Sequence, residues 1–141
     1  MLDFKTVSLD EAQRLIAQGI QKAAEIGSPS NIAVVDAGGN LVAHARMDNA
    51  QIGSIDHSIN KAFTSVACRS ATGERGKDAQ PGAQFYGIAG SIGGRAIVFA
   101  GGLPLKAHEQ IVGGIGVSGG TGEQDQSVAE AIVAAFHITH S

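Results

Sequence analysis

Asn31-Ile32-Ala33-Val34-Val35-Asp36-Ala37-Gly38-Gly39-Asn40-Leu41-Val42-Ala43-His44-Ala45-Arg46-Met47 is the stretch that decides the fold of this chain. Its first run is short, apolar and rich in β-branched residues. Asp36 to Asn40 is dense turn chemistry, because Gly and Asn tolerate positive φ. In the second run Val42, His44 and Arg46 alternate against Leu41, Ala43, Ala45 and Met47, a period of two. Residues 31–47 therefore read as a β-hairpin, and a hairpin imposes antiparallel pairing.

Helices are expected on both sides of it. Ser8 followed by Glu11 is a capping box, in which each side chain satisfies an orphan amide at a helix start. Ala12, Leu15, Ile16, Gly19 and Ala23 then recur at helical spacing, and Gly27 and Pro29 are stop signals. The first helix is placed at residues 9–26. After the hairpin, Ser54 is a candidate cap for a second helix ending near Arg69, with Ile55, Ile59, Ala62, Phe63 and Val66 as its apolar stripe. Residues 71–94 are polar and glycine-rich, with a short helical turn at 73–79. Residues 95–100 read as a strand, 103–105 as an edge strand that tolerates Pro104, and 110–118 as a last strand. Thr121, with Gln124 three residues on, caps a final helix carrying Val128, Ala131, Ile132, Ala135 and Phe136. The expectation is one domain over residues 1–141, of α+β class, with an antiparallel sheet of about five strands in the order α-β-β-α-β-β-β-α.

Composition narrows the function. Of 141 residues 43% are hydrophobic and only 16% charged, below the usual ~25%. So few charges suit a chain that covers part of its surface in an oligomer. The net charge is −3, and no basic stripe or arm is present, which removes the main electrostatic term of nucleic-acid binding. One cysteine, Cys68, leaves no internal disulfide and no multi-cysteine metal site. No apolar run reaches the ~20 residues a bilayer span needs, and Met1 to Lys5 lacks the pattern of a secretory leader. No membrane role is expected, and a cytoplasmic location is.

Two glycine motifs near the C-terminus suggest chemistry and fail on context. Gly114, Gly116 and Gly119 match G-x-G-x-x-G, but the first two lie inside a strand rather than after one. Gly116-Val117-Ser118-Gly119-Gly120 matches G-x-S-x-G. Its acid and base would have to be Asp125 and His137, on the helix leaving the turn instead of on later strand ends. What survives is the helix start itself. The amides after Gly119, Gly120 and Thr121 form a candidate anion site, because a helix N-terminus favours negative charge.

The five histidines form no metal-binding signature, and no metal site is expected. His57, Lys61 and Thr64 fall on one line of the second helix, at i, i+4 and i+7. An imidazole, an ammonium and a hydroxyl on one stripe suit a carboxylate-bearing ligand, and equally an ordinary solvated face. A neutral imidazole can also ligate a haem iron.

Ala33 to Ala43 followed by Arg46-Met47-Asp48 resembles the hallmark hairpin of the GlcG/HbpS family of haem-binding and haem-degrading proteins. Asn60-Lys61-Ala62-Phe63-Thr64 resembles its second-helix motif, and Gln80-Pro81-Gly82 with Tyr86-Gly87 its middle loop. Gly101 to Leu105 and Gly113 to Gly120, then Glu123-Gln124-Asp125, resemble its closing segments. The resemblance implies a profilin-like fold, a homo-oligomer (dimer-based, tetramer or octamer) and a small-molecule ligand, with haem as the possible cofactor. It also implies kinship with a domain fused to a cobalamin adenosyltransferase. For the site it points to His57, Lys61 and Thr64, with Arg46 and Phe85 as walls. His57 or Thr64 would approach the iron, and Lys61 or Arg46 would pair with propionates. Several members carry a ligating histidine on the first helix; here no histidine precedes His44. Two further roles fit the same residues. One is an enzyme or accessory protein for a small organic acid, such as one of glycolate, diol or glycerol metabolism, held by Arg46 and the amides after Gly119 with His57 as general base. The other is a purely structural oligomer.

Overall fold

Ser8 and Glu11 do form the capping box. Ser8 Oγ accepts from the Glu11 amide (3.2 Å), and Glu11 Oε1 accepts from the Ser8 amide (3.3 Å). They open α1, Leu9–Glu25. The helix closes where Gly27 adopts φ +68°, its amide donating to Ala24 O and that of Ser28 to Ala23 O, a Schellman arrangement. The computed structural model describes residues 1–140. The remaining elements are β1 (Asn31–Asp36), β2 (Leu41–Arg46), α2 (Gly53–Ala67), α3 (Thr72–Lys77), β3 (Gly102–Ala107), β4 (Gln110–Ser118) and α4 (Gly122–Thr139).

The hairpin folds as expected. The Asp36 amide donates to Asn40 O, and Asp36 Oδ1 accepts from the Gly38 and Asn40 amides, each at 2.9 Å or less. The four strands form one antiparallel sheet in the order β2-β1-β4-β3. Pro104 sits on an edge strand, where its missing donor costs no ladder bond.

Two helices, α1 and α4, cover one face of the sheet. Ile32 and Val34 of β1 and Ile115 and Val117 of β4 meet Leu15, Ile16, Val128, Ile132 and Phe136 there, all buried. On the other face lies α2, over Ala33 and Val35 of β1. Its footing on β4 is glycine. A Cβ built on Gly116 would stand 2.6 Å from the Ala62 amide nitrogen, and one on Gly114 2.8 Å from Ala62 O. The G-x-G pattern of this strand is thus the space into which α2 settles.

Three expectations are corrected. The sheet has four strands, not five, in the order α-β-β-α-α-β-β-α. Residues 95–100 run partly extended, but they cross α2 and α3 rather than join the sheet. Their backbone is bonded by side chains: Thr64 Oγ1 accepts from the Ile97 amide (3.1 Å), and Thr72 Oγ1 donates to Phe99 O (2.5 Å). Ser54 is not the cap of α2. The helix starts after Ile52 with no side-chain cap, and Ser54 is buried one residue inside it. The deeply buried face of α2 is Ser54, Ser58, Lys61, Ala62, Thr64 and Ser65, while Ile55, Ile59, Phe63 and Val66 are only partly covered.

Gly116→Ala is expected to force α2 off the strand, because the new methyl group meets backbone rather than a movable side chain. Overpacking of this kind costs about 1–3 kcal/mol. Urea unfolding should show a lower midpoint; an unchanged midpoint would mean that α2 is not seated as described.

Candidate functional site

The line of His57, Lys61 and Thr64 does not stay together on one surface. Because α2 sits low on Gly114 and Gly116, the side chains at positions 61 and 64 turn inward and His57 is left outside.

Lys61 is 2% exposed. Its Nζ donates to Val117 O (2.9 Å) and to Asp125 Oδ2 (3.1 Å). Burial pushes its pKa below the ordinary lysine value, while the charge and hydrogen bond of Asp125 work against that shift. Asp125, also buried, uses its other oxygen, Oδ1, to accept from the Gly120 amide (2.9 Å). One ion pair therefore ties α2, β4 and the start of α4 together.

The same contacts settle what fills the start of α4. The Gly120 amide goes to Asp125, the Thr121 amide to Gln124 Oε1 (2.9 Å), and the Gln124 amide to Thr121 Oγ1 (3.2 Å). Of the amides expected to receive an outside anion at Gly119, Gly120 and Thr121, those of Gly120 and Thr121 are satisfied from within, by a carboxylate and a capping box.

Thr64 is buried as well. Its hydroxyl lies 2.7 Å from Asn60 O and 3.1 Å from Arg95 O, and it accepts from the Ile97 amide. It pins the crossing segment to α2. That segment then brings Phe99 beside His57, the rings meeting edge to face with centroids 6.4 Å apart. His57 is exposed, and Phe99 keeps 61% of its surface exposed. The other two site residues stand apart. Arg46 is exposed at the end of β2, opposite Asn31. Phe85 lies under the Arg75 guanidinium, 4.9 Å from ring centre to Cζ.

Sequence reading passed over two groups. Arg95 stacks its guanidinium 3.5 Å over the Phe63 ring and adds an exposed cation beside α2. His44 lies across from Ala33 on the α2 side of the sheet, half-buried, with a buried Nε2 that has no hydrogen-bond partner. Burial lowers its pKa and favours the neutral imidazole. The alternation of β2 placed His44 on this face, but nothing local signals that its nitrogen is unpartnered. For Arg95 the sequence carries no signal beyond its charge.

An exposed imidazole beside an exposed aromatic ring, with the exposed guanidinium of Arg95 also beside α2, offers a nitrogen donor, a stacking surface and a cation, groups whose chemistry suits a haem. The chain matches the family model described as haem degrading protein HbpS-like over residues 7–134. It belongs to that family. It is 42% identical over 132 residues to an uncharacterized 15.0 kDa protein encoded in the dhaT-dhaS intergenic region of Citrobacter freundii, covering 93% of this chain and 92% of that one. It is 36% identical to the corrinoid adenosyltransferase PduO of the same organism, covering 96% of this chain but only 41% of that protein. Among solved structures, the Klebsiella pneumoniae protein ORFY superposes with a TM-score of 0.95 at 39% identity, over 97% of this chain and 94% of that one. The PduOC:heme complex superposes with a TM-score of 0.88 at 33% identity, over 92% of this chain and 94% of that one.

Two outcomes follow from these contacts. Asp125→Asn removes the only charged partner that a buried ammonium has among the described residues, a change that costs about 3–5 kcal/mol; denaturant titration checks it, and a loss below the noise would mean that Lys61 is not charged there. His44 gives a pH dependence. Its folded pKa is lowered from 6.5, so in acid the unfolded chain binds a proton that the folded chain resists. Stability therefore falls as pH drops below that value. His44→Gln should flatten this decline between about pH 7 and about pH 5 in unfolding curves; equal slopes in both proteins would assign the decline elsewhere.

Proposed function

We propose that this chain binds a tetrapyrrole, haem first, with His57 as the side chain that would donate a nitrogen to its iron. The single observation that carries the reading is His57 itself: exposed, on the outer side of α2 and edge-on to the exposed ring of Phe99. Membership of the HbpS-like family, and a relative whose structure is a haem complex, support haem as the ligand. Bound haem would supply an iron able to take a nitrogen donor and a porphyrin carrying two propionates. Of the two candidate iron donors, His57 is favoured over Thr64, whose hydroxyl is already used three ways. Of the two candidate propionate partners, Arg46 is favoured over Lys61, which is committed to Asp125. Phe85 would wall the site only from a neighbouring copy of the chain or after movement of its loop.

A homo-oligomer belongs to the same proposal. The low charge fraction supports it, as do the large exposed apolar side chains of Ile52, Tyr86 and Phe99. A degrading or sensing role would rest on haem binding and is secondary to it. No helix among the described residues is long and apolar enough to cross a membrane.

Haemin titration of the purified protein tests the proposal, with molar mass by light scattering fixing the number of 14.3 kDa chains per particle. A sharp Soret band that saturates at a fixed ratio to chains is expected. His57→Ala should broaden it and weaken binding at least about tenfold, about 1.4 kcal/mol, while Thr64→Val should leave the band in place. A signal that never saturates would sink the tetrapyrrole reading, and an unchanged band in His57→Ala would remove His57 from it.

A further inference from the structure

A cavity of about 710 Å³ lies well away from His57, at the C-terminal end of α2. That size falls within the range of small-molecule sites. Its apolar walls come from Phe4, Val66 and Ile111, and its charged ones from Arg69, Lys106 and Glu109. Among the described residues neither Arg69 nor Lys106 forms an ion pair. Two free cations against one carboxylate leave the wall with a single surplus positive charge.

The backbone at Arg69 is a second, independent observation. Arg69 follows the last residues of α2 with φ +52°. The Ser70 amide returns to Ser65 O and the Arg69 amide to Val66 O. This left-handed position ends a helix most comfortably with glycine, and a non-glycine residue there is strained. A glycine would close the helix better, yet the position carries the guanidinium that reaches the cavity. Strained positions of this kind cluster at ligand sites, and Glu109 in the same wall is also left-handed (φ +65°). The last carbonyls of α2 oppose an anion nearby, but Arg75 Nη2 already caps Cys68 O (2.9 Å).

We propose that this cavity binds a small organic monocarboxylate with an apolar body, its carboxylate held by Arg69 and Lys106 and its body against Phe4, Val66 and Ile111. Glu109 in the same wall disfavours a second negative charge. Phe4 overhangs the cavity from a segment tethered just beyond it, where Thr6 Oγ1 accepts from the Ala37 amide (2.9 Å) and the Val7 amide donates to Val112 O (2.9 Å). The proposal does not depend on haem binding, because it uses no residue of that site.

Calorimetric titration of the full chain with benzoate and with hexanoate tests it, using succinate and sodium chloride at matched ionic strength as comparisons. Saturable binding of at least one monocarboxylate, and weaker binding of succinate, is expected. Arg69→Gly should weaken binding at least about tenfold while raising the melting temperature, since it removes the charge and relieves the strain together. Lys106→Gln should weaken binding without touching the backbone, and haemin titration of both variants should match the parent. Heats that do not saturate, or affinities unchanged in both variants, would overturn the proposal.

Discussion

The absence of side chains at Gly114 and Gly116 is the constraint on which the rest of this structure depends. A helix normally stands about 10 Å from a sheet because two layers of side chains lie between them. Here one layer is missing, and the α2 backbone rests against β4. That close approach rotates Lys61 and Thr64 into the interior, gives Thr64 its hold on the crossing segment, and leaves His57 on the outer surface beside Phe99. The geometry of the candidate site is thus fixed by two residues that take no part in it.

Burying Lys61 carries a desolvation cost, and the fold offsets it with a carboxylate rather than with water. Asp125 is placed to serve two partners at once, the ammonium of α2 and the amide of Gly120 at its own helix start. The charge that a helix N-terminus attracts is therefore supplied by the helix itself. This single residue ties α2 to the start of α4, 64 positions on, and it occupies the Gly120 amide that an outside anion would otherwise take.

Local signals in the sequence were read correctly where they act locally. The capping boxes at Ser8 and Thr121, the turn from Asp36 to Asn40 and the edge position of Pro104 are decided by neighbours a few residues away, and all four are present. Residues 95–100 carry a strand-like pattern, but their partner is the hydroxyl of Thr64, thirty-odd positions earlier, and no local pattern encodes that. The site stripe misled for a related reason. Apolar periodicity points to Ile55, Ile59, Ala62, Phe63 and Val66 as the inner face of α2; Ala62 is buried there and Ile59 and Val66 pack beside it, but the glycine floor adds Ser58, Lys61 and Ser65, which no apolar pattern marks. A face chosen by shape rather than by hydrophobicity is invisible until the opposing strand is in place.

The hydroxyls of that face have one more consequence. Ser58 Oγ donates to Ile55 O, and Ser65 Oγ to Ala62 O, each at 2.8 Å and each within the helix. Neither reaches across to the strand. At Ser58 and Ser65 the contact between α2 and β4 is therefore indifferent to polarity and sensitive to volume. Substitution among the smallest residues can proceed freely there, and anything larger is refused whatever its chemistry. In evolutionary terms this seam can drift in character without drifting in width, which keeps the outer surface of the helix in one place while its own residues are free to change.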